Sequence, residues 1–228
     1  MRARSLVWRR LRGFTLIELL VAVGLLALMA ALSWRGLDGM TRAQTQMHQY
    51  SDDVMALQAG LGQWGADLDA LVKPSDAGPG DKFSTLDWDG RALRMLRRGA
   101  ADAGAGLIVV AWSRRVVDGV GQWLRWQSPP LQTRAERDLA WQRAAQWAQN
   151  PIADDAKREV RVAALDQWQI FYYRNDAWSN PLSSAGVASD GKIDMPDGIR
   201  LVLILSAGQA ISGTVTRDWL RPGVGIAK

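Results

Sequence analysis

The stretch from Phe14 to Leu32 constrains this chain more than any other part of it. It runs nineteen residues with a single charge, Glu18, and only Thr15 and Gly24 otherwise interrupt its apolar side chains. As a helix at ~1.5 Å per residue it is roughly 28 Å long, about the thickness of a bilayer's hydrocarbon core. The sequence therefore predicts a transmembrane helix over residues 14–34. Ahead of it, residues 1–12 carry Arg2, Arg4, Arg9, Arg10 and Arg12 and no acid, and Gly13 follows. Such an arginine cluster stays cytoplasmic, which places everything after Trp34 on the far side.

The same cluster explains the charge. The formal net charge is +5, but setting aside those five arginines leaves 23 bases against 23 acids. The basic excess is one short N-terminal cluster and not a face, so nucleic acid is not an expected partner. Cysteine is absent, which excludes disulfides and thiolate metal sites but says nothing about compartment.

A secretory signal peptide also starts basic and turns apolar. Here the apolar run is longer than a usual signal core, and it contains a carboxylate. A Glu inside the membrane costs on the order of 2–3 kcal/mol near the centre and less near an edge, so such a residue normally has a partner. Glu18 lies four residues after Phe14. Cleavage between Gly13 and Phe14 would create an α-amine at the right depth to pair with a Glu18 carboxylate, most naturally that of a neighbouring subunit. The alternative is an unpaired Glu18 near the interface.

The helix is expected to continue over residues 35–72. From Met40 the apolar positions Ala43, Met47, Tyr50, Val54, Leu57, Leu61, Trp64, Leu68 and Leu71 follow in alternating steps of three and four. They share one helix face. A free coiled coil would fit, but packing on the protein's own sheet is the preferred reading. Gly60, Gly62 and Gly65 each lower helix propensity by up to ~1 kcal/mol relative to Ala; they suit close packing or fraying before Pro74. Asp52, Asp53, Asp67 and Asp69 are expected on the polar side, facing water.

Residues 73–82 are rich in turn formers, and short strand-like runs follow. The predicted strands are Thr85–Trp88, Ala92–Arg97, Gly106–Arg114, Gln122–Gln127, Gln167–Arg174, Ile199–Leu205 and Ile211–Asp218. A short helix is predicted over 134–149, with Leu139, Trp141, Ala145 and Trp147 apolar. A long helix followed by antiparallel strands makes an α+β fold, with residues 73–228 as a β-rich domain against the N-terminal helix. Of twelve tryptophans, Trp8 and Trp34 lie in the N-terminal region. The other ten are expected in the core, and any exposed ones would suit a protein interface.

Chemistry is sparse. His48 is the only histidine, on the helix between heptad positions. Without a second histidine or a cysteine, the usual triads and zinc sites are unavailable, and neither catalytic residues nor a cofactor are expected. Residues Asp190 to Gly198 space carboxylates like a loose Ca²⁺ loop. However, Lys192 occupies a ligand position and the closing Glu is missing, so a turn is the better reading.

The run Gly13-Phe14-Thr15-Leu16-Ile17-Glu18-Leu19-Leu20-Val21 resembles the class III signal of type IV pilins and type II secretion pseudopilins. The resemblance implies that a prepilin peptidase cuts between Gly13 and Phe14, methylates Phe14, and leaves Glu18 to support filament assembly. Body segments narrow it: Trp34 to Met40, Phe171 to Leu182, Pro196 to Leu201, and Thr216 to Trp219. Together these resemble the J-type minor pseudopilins (general secretion pathway protein J) of type II secretion, closely in the N-terminal helix and moderately in the C-terminal third. That resemblance implies a single-pass inner-membrane subunit with a periplasmic domain. Its implied partners are the I and K minor pseudopilins and the major pseudopilin, at a filament tip facing the secretin or the exported cargo. A minor type IV pilin for adhesion or DNA uptake shares the leader, but many of those carry a C-terminal disulfide.

Overall fold

The computed structural model describes residues 13–73, 83–99, 106–183 and 195–223. Residues 1–12 of the predicted 1–13 leader peptide and most of the Asp190–Gly198 loop lie outside them. The chain divides into two compact units, Met1–Gln49 and Tyr50–Lys228. The first is the start of helix α1, which runs Leu16–Asp69. Every described residue of that unit is exposed.

Among the described residues, the second unit holds the end of α1, eight strands, one further α-helix and a short 3-10 helix (Asp155–Lys157). The strands are β1 (Leu86–Trp88), β2 (Ala92–Arg98), β3 (Leu107–Val117), β4 (Val120–Gln127), β5 (Glu159–Arg174), β6 (Ala177–Ser179), β7 (Gly198–Leu205) and β8 (Gly213–Leu220). All pairings are antiparallel, in the order β1-β2-β3-β4-β5-β7-β8, with β6 also on β5. Two-residue turns close two of the hairpins. Asp118-Gly119 and Asn175-Asp176 all have positive φ, as a type I′ turn requires.

The sixteen-residue β5 joins the two halves of the sheet. Its first part pairs with β4 and its second with β7, with a register shift between Leu165 and Gln167. A second shift lies between Trp123 and Leu124 of β4. Bulges of this kind bend and twist a strand. The sheet therefore curls, and its concave side receives α1. Leu57, Trp64 and Leu68 of the helix share one core with Met95, Trp112, Trp123, Ile170, Leu201 and Trp219, drawn from six strands. Gly60 allows the close approach. A Cβ there would lie 2.1 Å from Val162 Cγ1, whereas Gly62 and Gly65 face open space.

The other face of β2–β4 is covered by α2 (Arg134–Gln149). Thr133 starts this helix with a capping box closed by Glu136. The α+β reading with a long helix on an antiparallel sheet holds, and so does the 134–149 helix. Not all of its apolar residues are buried. Ala140, Ala144, Trp147 and Ala148 pack inward, while Leu139 is 69% exposed.

Three expectations need correction. The stripe from Met40 is buried only from its middle onward; Met40, Met47 and Tyr50 are exposed. The strand predicted from Gln167 begins at Glu159, and β6 was not anticipated. Residues 157–166 are rich in Lys, Arg, Glu, Ala and Leu, all good helix formers, and pairing with β4 overrides that local preference. Last, Asp67 does not face water but is fully buried. The ten later tryptophans are all buried or half-buried, as a core role requires.

Candidate processing and assembly segment

Gly13 and Phe14 precede the first turn of α1, and Phe14 is 85% exposed. Thr15 caps the helix. The Glu18 amide donates to Thr15 Oγ1 at 3.4 Å, and the Thr15 amide and hydroxyl donate to Glu18 Oε2 at 3.0 and 2.9 Å. This reciprocal arrangement is a capping box, which satisfies amide groups that the first helical turn leaves unpaired. It also sets the carboxylate at the positive end of the helix dipole. Sequence reasoning looked for Glu18's partner in another subunit and missed the nearer one. The signal was present as Thr15-Leu16-Ile17-Glu18, the T-x-x-E pattern before an apolar run. Both bonds end on Oε2, and a carboxylate offers about four lone-pair sites, so acceptor capacity remains for a cation.

The helix surface beyond this turn is apolar on every side, from Leu16 through Leu32. A helix hydrophobic all round is stable only inside a protein or a membrane. Among the described residues, α1 is the helix long and apolar enough to cross a bilayer. Farther on, Leu37, Met40 and Met47 stay exposed, as does His48.

The residues singled out in the sheet domain have architectural roles. Asp67 accepts from Gln63 Nε2 at 2.8 Å, Trp112 Nε1 at 2.9 Å, and Arg125 Nε and Nη2 at 2.8 and 2.9 Å; Arg97 Nη1 also binds it. Asp69, on the exposed side, accepts from Trp219 Nε1 at 2.8 Å. Asn180 Oδ1 accepts from the Leu182 amide at 2.9 Å and shapes the turn after β6. Asp197 pairs with Arg221. Asp218 holds Arg200 through two bonds of 2.8 and 2.7 Å, and the Arg200 guanidinium lies 4.3 Å from the Trp178 ring centre. Those bonds hold the Asp218 carboxyl below its ordinary range. Burial pushes the Tyr172 phenol far above its ordinary value. The structure thus brings Phe14, Thr15 and Glu18 together at one helix end and spends the other distinctive side chains on the fold.

Residues 8–34 match the family model described as the prokaryotic N-terminal methylation motif. No curated protein matches the chain. Among solved structures, the chain is similar to one chain in the crystal structure of the GspK-GspI-GspJ complex from the enterotoxigenic Escherichia coli type 2 secretion system. The identity is 17% and the TM-score 0.42, over 74% of this chain and 96% of that one. The molecule is therefore an N-terminal methylation motif on a long apolar helix, followed by a curled antiparallel sheet domain.

Proposed function

We propose that this chain is a pilin-like subunit, specifically a minor pseudopilin of type II secretion, and not an enzyme. The observation that carries the reading is the methylation motif over residues 8–34, set on a helix whose apolar surface is exposed from Leu16 through Gln49. In this proposal the chain enters the inner membrane once, with its N-terminus cytoplasmic and its sheet domain periplasmic. A prepilin peptidase cuts between Gly13 and Phe14 and methylates Phe14. Glu18, held by Thr15, keeps capacity to receive the methylated amine of a neighbouring subunit as helices leave the lipid and pack. The exposed Leu37, Met40 and Met47 supply contact area for that packing. With the I and K minor pseudopilins and the major pseudopilin as partners, the subunit would start and cap the periplasmic filament near the secretin or cargo. The J-type part of this reading is supported by the Phe171–Leu182 and Thr216–Trp219 segments. The methylation motif is shared with minor type IV pilins, which makes pilus assembly the second reading.

Mass spectrometry of the membrane-extracted chain tests the processing step. The expected N-terminus is N-methyl-Phe14; a start well inside the apolar run would instead mark ordinary signal cleavage. Glu18→Val should still insert but fail to enter filaments. Co-purification of the tagged full chain from membranes separates the two systems: recovery of I-type and K-type pseudopilins supports type II secretion, and recovery of pilus subunits favours the second reading.

A further inference from the structure

The end of α1 carries two carboxylates, Asp67 and Asp69, that the proposed assembly role does not use. At about 100° per residue they point roughly 200° apart around the helix. The sheet curls far enough to meet both. Asp67 reaches Arg97 of β2, Trp112 of β3 and Arg125 of β4. Asp69 reaches Trp219 of β8, at the opposite end of the strand order. The chain leaving the helix is also stitched to β2, by the Val72 amide on the Leu96 carbonyl and the Arg98 amide on the Ala70 carbonyl, each at 3.0 Å.

Apolar packing fixes only part of how α1 sits, through the close approach of Gly60 to Val162. It is non-directional, and slipping the helix by one turn exchanges Leu57 for Leu61. The carboxylates have no such substitute. Positions 63, 64, 70 and 71 are Gln, Trp, Ala and Leu, and positions 65, 66, 72 and 73 are Gly, Ala, Val and Lys, so no acid lies one turn from either. Any slip would take the anion away from the buried Arg125 and the half-buried Arg97. We propose that Asp67 and Asp69 form a two-sided lock that fixes the rotation and axial register of the helix end within the curled sheet. Tension along α1 then passes to both flanks of the sheet instead of turning or sliding the helix. The lock itself does not rest on the proposed function; the tension it would carry does, in either filament system.

Because the chain has no cysteine, engineered pairs report register directly. A Cβ on Gly60 would lie 3.4 Å from Val162 Cβ, close to the ~3.5–4.5 Å of a disulfide. In the full chain in detergent, Gly60→Cys with Val162→Cys should oxidise quickly. Ala56→Cys with Val162→Cys, one turn away, should oxidise slowly. Adding Asp67→Asn together with Trp219→Phe should lower the first rate several-fold and raise the second. Asp69→Ala and Trp219→Phe leave no buried charge unpaired, and each alone should narrow the ratio. They decide the case if Asp67→Asn fails to fold. Retention of the parent ratio in variants whose sheet amides stay protected from exchange would overturn the lock and leave register to packing and the β2 stitching.

Discussion

From Leu16 to Asp53 every residue is exposed, whereas from Leu57 the helix begins to alternate between buried and exposed positions. Both stretches belong to α1, and each contains an acid among apolar neighbours. Glu18 is satisfied by its own first turn, through Thr15. Asp67 is satisfied by side chains from three strands up to 58 residues away, and from one residue on its own helix. The difference teaches that a carboxylate in an apolar helix is not one kind of signal. The first is available to outside partners without disturbing any packed domain. The second is structural, and its loss disturbs the sheet.

Asp67→Ala gives the largest effect that tests this contrast. It leaves the buried Arg125 and the half-buried Arg97 without their anion, and breaking such a cluster costs about 3–5 kcal/mol. The denaturation midpoint of the sheet domain, followed by tryptophan fluorescence, should fall accordingly. Glu18→Val should leave that midpoint unchanged; a comparable fall would erase the distinction between the two acids. The helix glycines sharpen it further. Gly60→Ala forces a Cβ into Val162 and should cost about 1–3 kcal/mol by overpacking. Gly62→Ala meets open space and should stabilise by up to ~1 kcal/mol through helix propensity. Opposite signs at neighbouring positions in thermal melts would confirm that α1 is seated at Gly60.

The smallest effect is a pH dependence. The bonds from Arg200 lower the Asp218 pKa from its ordinary 3.8. A carboxylate depressed in the folded state contributes stability above its unfolded pKa and loses it as pH falls through the folded value. The pair is partly exposed, at 34% and 40%, so the contribution is under about 1 kcal/mol. Acid unfolding of Asp218→Asn should differ from the parent above pH ~4 and converge with it below. A difference that persists at lower pH would assign the effect to packing.

Much of the fold was legible because its signals are local. The apolar run, the 3–4 spacing, the turn-rich breaks and the 134–149 helix need only neighbours within a turn or a strand. Both halves of the T-x-x-E cap are equally local, three residues apart on the first turn. The misses share another cause. Residues 159–166 favour helix by composition, and only β4 lying alongside makes them a strand. Leu139 is apolar but points outward because Trp147 and three alanines hold the other face of α2 against the sheet.

The sequence by itself determined the membrane-length helix, the methylation motif around Phe14 and Glu18, and the order of helix and strands. These follow from hydrophobicity, periodicity and turn chemistry, which act over a few residues. Only the tertiary structure decided where the stripe becomes buried, that Gly60 is a contact point, and that Asp67 is a buried anion gripped by Arg97, Trp112 and Arg125. A polar residue on a helix gives no local sign of facing water or a distant guanidinium. That choice is made when two bulges in β5, at Val162 against β4 and at Asp166 against β7, curl the sheet and bring its two flanks to the same helix.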